Sequence, residues 1–167
     1  ASDVYKRQKL FVGVLWVALS LSVQGKEVNM TSPDGKYQFT LSDSGGQLHY
    51  SLTWNGKQTV KPSLLGINAN VEWRDGVEIG TVDSSRKDTI WHPVYGERSE
   101  IKDCYNAWKI LVNRQNGRDK LILDIRAYDE GIAFRYHFPG GQYLKITDEY
   151  TEYTMPCLLY TSDAADE

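Results

Sequence analysis

Short runs in which apolar and polar side chains take turns, separated by glycine-rich breaks, constrain this chain more than any other feature. Tyr37, Phe39 and Leu41 alternate with Gln38, Thr40 and Ser42, and Leu48, Tyr50, Leu52 and Trp54 alternate with His49, Ser51 and Thr53. Successive side chains of a strand point to opposite faces, so this period lays one set against a core and turns the other to water. Ser44-Gly45-Gly46 reads as the link of a hairpin between the two runs. Asn55-Gly56 fits a two-residue type I′ turn, whose central positions both need positive φ. Further on, Tyr105–Val112 and Leu121–Tyr128 read as strands joined across Asn116-Gly117, with Leu121, Leu123, Ile125 and Ala127 on one face. Asp129-Glu130-Gly131 makes the next turn, after which Ile132, Phe134, Tyr136 and Phe138 line up against Ala133, Arg135 and His137. Tyr143–Thr147 and Tyr150–Met155 are expected as two more strands. The stretch from Pro62 to Ile90 carries a weaker pattern. Val71–Trp73 and Val77–Ile79 flank Arg74-Asp75-Gly76 as a short hairpin, and the polar run Asp83–Asp88 is expected to be an exposed loop. No long amphipathic helix, internal repeat or linker stands out. Many short strands at hairpin spacing predict an all-β fold, a sandwich or a barrel.

Composition bears on function mainly by exclusion. The 167 residues hold 19 Lys and Arg against 22 Asp and Glu, a formal charge of −3. The two ends can be read apart from the rest. Residues 1–8 and 157–167 back-translate to opposite strands of one DNA segment that resembles a sequencing-library adapter. Without these tails the balance is 17 basic to 18 acidic residues. Near-neutral charge argues against a nucleic-acid partner held by net charge. Lys9 precedes the uncharged run Leu10–Val23, whose 14 residues are short for a membrane span and suit the apolar part of a secretory signal. Residues 9–25 are therefore expected to be a signal peptide. The protein is expected to be exported, periplasmic or secreted, with no stable membrane span after cleavage. Residues 26–156 form the remaining domain, in which Cys104 is the lone cysteine, so neither an internal disulfide nor a thiolate metal site is indicated.

A set of blocks within that domain resembles a known family. In chain order they are Ser32–Lys36, Gly46–Leu48, Tyr50–Lys57, Pro62–Gly66, Trp91–Glu97, Tyr105-Asn106, Arg126–Tyr136 and Ile146–Tyr153. Their order and spacing, more than any single block, are similar to the amino-terminal domain of glycoside hydrolase family 97. The resemblance implies a β-supersandwich of the galactose mutarotase type, incomplete at residue 156. It implies that the domain packs on a downstream catalytic (β/α)8 barrel, followed by a small β domain. It also implies exo-acting α-glucosidase or α-galactosidase activity on an α-linked oligosaccharide, with calcium bound by the full-length protein. The family's front domain shapes the active-site rim and supplies one acidic calcium ligand. That ligand is expected beyond this chain, so no cofactor, metal or catalytic residue is carried onto it.

Glycoside hydrolysis needs two carboxyl groups across the scissile bond. The acids here are Glu97, Glu100, Asp103, Asp129, Glu130, Asp148, Glu149 and Glu152. Asp129 and Glu130 read as turn residues, and Asp148, Glu149 and Glu152 as a solvated face, so none is expected to be catalytic. Glu97 closes the compact Trp91–Glu97 block, where a fixed loop can hold it toward a sugar or a neighbouring domain, although a surface pair with Arg98 or Lys102 is the plainer reading. Trp54, Trp73 and Trp108 read as core or interface, since tryptophan more often supplies buried area than a sugar platform. Trp91, set in a loop, is the exception, and with Glu97 it is the candidate substrate-binding or domain-interface residue. His49, His92 and His137 lack metal-like spacing. His49 and His137 are expected to face away from the apolar set, and His92 to hydrogen-bond locally. The expected role is an accessory domain, inactive alone, that frames a catalytic barrel. The alternatives are a free-standing carbohydrate-binding module and, on fold analogy alone, a mutarotase-type epimerase. Residues 26–156 in isolation are expected to fold poorly.

Overall fold

A computed structural model describes residues 25–95, 99–115, 117–140 and 143–156. The predicted tails 1–8 and 157–167, and the predicted signal apart from Gly25, lie outside the described residues.

The fold is an all-β sandwich. Its first sheet is a meander of β1 (Glu27–Thr31), β2 (Tyr37–Ser42), β3 (Leu48–Trp54) and β4 (Lys57–Leu65), all antiparallel. After β5 (Ile67–Ala69) and β6 (Val71–Glu72) come the strands of the second sheet. These are β7 (Val77–Trp91), β8 (Ile101–Arg114), β9 (Lys120–Tyr128) and β10 (Gly131–His137), in the order β10-β9-β8-β7. The last strand, β11 (Ile146–Glu149), returns to pair with β5.

The alternation does what its period requires. Met30, Phe39, Leu41, Leu48, Tyr50 and Leu65 from the first sheet meet Val77, Ile79, Ile110, Val112, Leu121, Leu123 and Ile125 from the second. Burying each large apolar side chain of this kind is worth about 1.5–3 kcal/mol. Phe39 stacks on Tyr50 at 5.4 Å between ring centroids, and Tyr50 meets Phe134 of β10 at 6.0 Å. Trp73 is 1% exposed and fills one end of this core, its ring edge-on to Phe138. Asn55 and Gly56 both have positive φ, 48° and 75°, as the type I′ turn between β3 and β4 demands.

Three expectations are corrected. Asp83–Asp88 is not a loop but the middle of β7, paired residue for residue with Lys109–Cys104 of β8. The ladder satisfies its backbone, and an edge strand tolerates polar side chains, which also deter pairing with other chains. Val71-Glu72 and Val77–Ile79 do not form a hairpin with each other. The first pairs with β5 across Asn70, and the second opens β7 in the other sheet. Arg74-Asp75-Gly76 is a passage between the sheets. Finally, Tyr143 and Leu144 precede β11, and Tyr150–Met155 carries no strand of its own. It nevertheless continues the pairing of β11. The Tyr150 and Glu152 amides donate to the carbonyls of Gly66 and Leu64, and the Lys61 amide donates to Thr154.

Polar contacts tie the layers together. One carboxylate oxygen of Asp43 accepts from the Lys26 amide and the other from the Ile79 amide, joining the start of β1 to β7. The Tyr50 hydroxyl donates to the Glu152 carbonyl at 2.7 Å, and the Tyr136 hydroxyl lies 3.1 Å from the Thr151 hydroxyl. Ser63, buried in β4, donates to the Lys61 carbonyl and accepts from the Thr154 amide. The 150–154 segment is thus held by both sheets at once.

Candidate domain interface

One end of the sandwich gathers several features the core does not need. β9 pairs with β8 only from Asn113 back to Tyr105. Past that point Asp88, Thr89, Ile90 and Trp91 pair with Cys104, Asp103, Lys102 and Ile101, and with no other strand among the described residues. At about 3.4 Å per residue, this two-stranded ribbon stands roughly 14 Å beyond the sheet.

The base of the ribbon is braced. The Tyr105 ring lies 5.0 Å from that of Tyr128 and beneath the Arg126 guanidinium at 4.7 Å. Lys87 approaches the same ring and bonds Asp103 at 2.7 Å. That hydrogen bond pushes the Lys87 ammonium pKa upward. The tip is held by His92, whose Nδ1 lies 3.0 Å from the Ser99 carbonyl oxygen. A carbonyl only accepts, so Nδ1 carries the proton, and the expectation of a local hydrogen bond for His92 holds.

The far part of the ribbon is apolar and bare. Trp91 is 50% exposed, Tyr95 is 91% exposed, and Ile90 and Val94 are exposed beside them. Ile90 and Trp91 are successive residues of β7 and so turn to opposite faces of the ribbon, both bare. Trp91, the candidate from the sequence, is not in the loop expected for it but is the last residue of β7, paired with Ile101. Glu97 lies outside the described residues. Ile90, Val94 and Tyr95 were not singled out by the sequence. Their position at the tip of an unsupported ribbon is a property of sheet width, which alternation does not reveal.

The same end carries two turns clasped to each other. Asp34 of the Ser32–Lys36 turn donates its amide to Asp129 of the β9–β10 turn at 2.9 Å, and Asn106 Nδ2 reaches the Thr31 carbonyl. Hydrogen bonds from Ser32 and from the Lys36 amide hold the Asp34 carboxyl far below the usual carboxylate range. The clasp accounts for Asp129 as a turn residue. Glu100, Glu130, Asp148, Glu149 and Glu152 are exposed, and Asp103 is engaged with Lys87. Asp124 is engaged with Arg135, and His137 lies 3.9 Å from the same carboxylate oxygen on the outer face of the second sheet. His49 is half-buried on the first sheet, and its Nδ1 has no hydrogen-bond partner among the described residues. Among the described residues, no three His, Cys, Asp or Glu come together as a metal site, so these residues offer no ligand set for the calcium of the resembled family.

A profile of the glycosyl-hydrolase 97 N-terminal domain matches residues 30–160. The chain belongs to this family. The family 97 domain is 29% identical over 153 residues to a retaining alpha-galactosidase of Bacteroides thetaiotaomicron, a match covering 89% of this chain and 22% of that protein. Among solved structures it superposes on a glycoside hydrolase family 97 enzyme from Pseudoalteromonas sp. strain K8 in complex with panose. That match has a TM-score of 0.71 and 25% identity, over 77% of this chain and 20% of the enzyme. A beta-arabinopyranosidase matches with a TM-score of 0.71 and 25% identity, over 77% of this chain and 21% of its own. The family 97 domain thus spans about a fifth of the length of the relatives it matches.

Proposed function

We propose that this domain is the front part of an exported, exo-acting α-glycosidase of the α-glucosidase or α-galactosidase type, and that it packs on and braces a downstream catalytic barrel. The apolar ribbon tip carries the reading. Ile90, Trp91, Val94 and Tyr95 stand in water on a braced arm, in a chain that matches only 22% of a full-length relative. Buried against a second domain, exposed aromatic side chains such as Trp91 and Tyr95 supply the interface energy that their exposure now forgoes. The paired carboxyl groups that cleave an α-linked oligosaccharide then belong to the barrel, and the calcium of the full-length protein takes its ligands from outside residues 26–156. The domain's contribution is geometric, since small displacements at a catalytic rim cost rate steeply.

The test is a double substitution, Trp91→Ala with Tyr95→Ala, in the full-length enzyme. The expected result is a loss of kcat/KM on nitrophenyl α-glucoside or α-galactoside, together with a lower unfolding temperature of the barrel. Unchanged kinetics and unchanged barrel stability would refute the reading. The free-standing binding module has one observation in its favour, the half-exposed Trp54 lying 6.5 Å from Tyr37 between ring centroids. Saturable quenching of tryptophan fluorescence by maltose or melibiose, abolished by Trp54→Ala, would decide for it.

A further inference from the structure

The outer face of the second sheet carries a notch that the core does not use. On β9, Asp124, Arg126 and Tyr128 share this face, and their partners across on the edge strand β10 are Arg135, Ala133 and Gly131. Two small residues thus stand opposite two large ones. The step leaves a hollow of about 200 Å³ lined by Asp124, Arg126, Tyr128, Ala133, Phe134 and Arg135.

The charged groups of the notch are satisfied on one side only. Arg135 brings Nε and Nη2 each to 2.8 Å from Oδ2 of Asp124, and His137 lies 3.9 Å from the same oxygen. Oδ1 of Asp124 is shut off from water and has no hydrogen-bond partner among the described residues. Lys109 stands opposite Asp124 on β8 but makes no ion pair with it. The Arg126 guanidinium is seated over the Tyr105 ring at 4.7 Å, and its hydrogen bond to the Tyr128 hydroxyl pushes its pKa upward. Arg135 is the movable wall. Its side chain is 69% exposed, and an ion pair so open to water holds weakly.

The exchange of protons and charge sorts the possible occupants. A metal ion or an ammonium would satisfy Oδ1 but meets two guanidiniums at once. A sulfate or a carboxylate suits the guanidiniums but has no proton for Oδ1, and the Asp124 charge opposes it. A neutral hydroxyl both donates and accepts, so it gives its proton to Oδ1 while taking one from Arg126 or Arg135. Neighbouring hydroxyls of one ring do this at both ends of the notch, over the Ala133 methyl. The volume lies below the roughly 300–1,000 Å³ of drug-sized sites, which leaves room for a single ring.

We propose that this notch is a secondary sugar site, in which Asp124 and Arg126 grip adjacent hydroxyls of one neutral pyranose ring. It lies apart from the exposed Trp54 and from the catalytic barrel of the proposed function, and it requires neither.

The test places fluorotyrosine at position 128 of the full-length protein and follows its fluorine resonance as D-glucose, D-galactose, maltose or melibiose is added. A saturable shift is expected with at least one of them. Asp124→Asn is expected to weaken that binding about tenfold or more, as for a hydrogen bond to a charged group. Ala133→Leu, which fills the hollow from an exposed position on an edge strand, is expected to abolish the shift. No shift with any sugar, or a drift that never saturates, would overturn the proposal. So would a shift that survives Ala133→Leu, which would report a sugar bound elsewhere, or a larger response to sodium sulfate or calcium chloride than to any sugar. A full-length protein without glycosidase activity that still shows the shift would sink the proposed function and leave the notch standing.

Discussion

The buried middle of the sandwich and the bare ribbon are built from the same hairpin logic, yet their side chains serve opposite ends. In the middle, the large side chains of the two inner faces gather into one buried core. Trp73 packs against Phe138, and Tyr50 lies between Phe39 and Phe134. On the ribbon, Trp91 and Tyr95 are of the same chemical kind but meet no second sheet. The contrast shows that an aromatic residue's role here follows from how far the neighbouring strands extend. β7 and β8 outreach β9, and Ile90 and Trp91, beyond the end of β9, stand largely in water.

That contrast is open to attack. The strongest blow is Trp73→Ala, which empties the end of the core. Denaturant unfolding is expected to register a loss of about 3–5 kcal/mol, a large share of the roughly 5–15 kcal/mol typical of a domain. Next comes Asp43→Ala, which strands the Lys26 and Ile79 amides. A loss of about 1.5–3 kcal/mol is expected in the same measurement, as for hydrogen bonds to a charged group. Smaller again is Tyr50→Phe, which removes the bond to Glu152 and about 1 kcal/mol. This variant also carries a pH signature. Burial pushes the Tyr50 hydroxyl up to about 12, from an ordinary value of 10.0. Because the folded-state pKa lies above the unfolded one, the stabilisation is whole below pH 10 and drains away as pH rises toward about 12. A plot of unfolding free energy against pH over that window is expected to be shallower for the Phe variant, with Tyr136, also raised by burial, supplying the remaining slope. Smallest is Trp91→Ala, expected to move the domain's own stability by no more than about 0.5 kcal/mol. A loss as large as that of Trp73→Ala would erase the distinction between core and ribbon.

Much of this was legible in the residues. The β2–β3 and β9–β10 hairpins follow from strict alternation, and the turn at Asn55-Gly56 follows from its φ requirement. What stayed hidden depends on distant partners. Asp83–Asp88 has no apolar pattern because it lies at a sheet edge, and only β8 makes it a strand. Tyr150–Thr154 is extended because β4 and two tyrosine hydroxyls hold it there. Val71-Glu72 finds β5 nearer than β7. Alternation set Trp54 with the core side of β3 and could not say that it would stand 43% exposed. Periodicity assigns a face to each side chain and leaves the extent of that face to tertiary structure.

The stitching of the 150–154 segment sets a timetable. Tyr50 waits for Glu152, 102 positions later, and Lys61 waits for Thr154. On a ribosome that adds roughly 5–20 residues each second, the first sheet is complete in sequence well before its last edge can be sealed. During that interval β4 offers an unpaired edge and the Tyr50 hydroxyl has no mate. For the strands described here the closing step is therefore a distant one, the slow kind for a chain rich in long-range pairings.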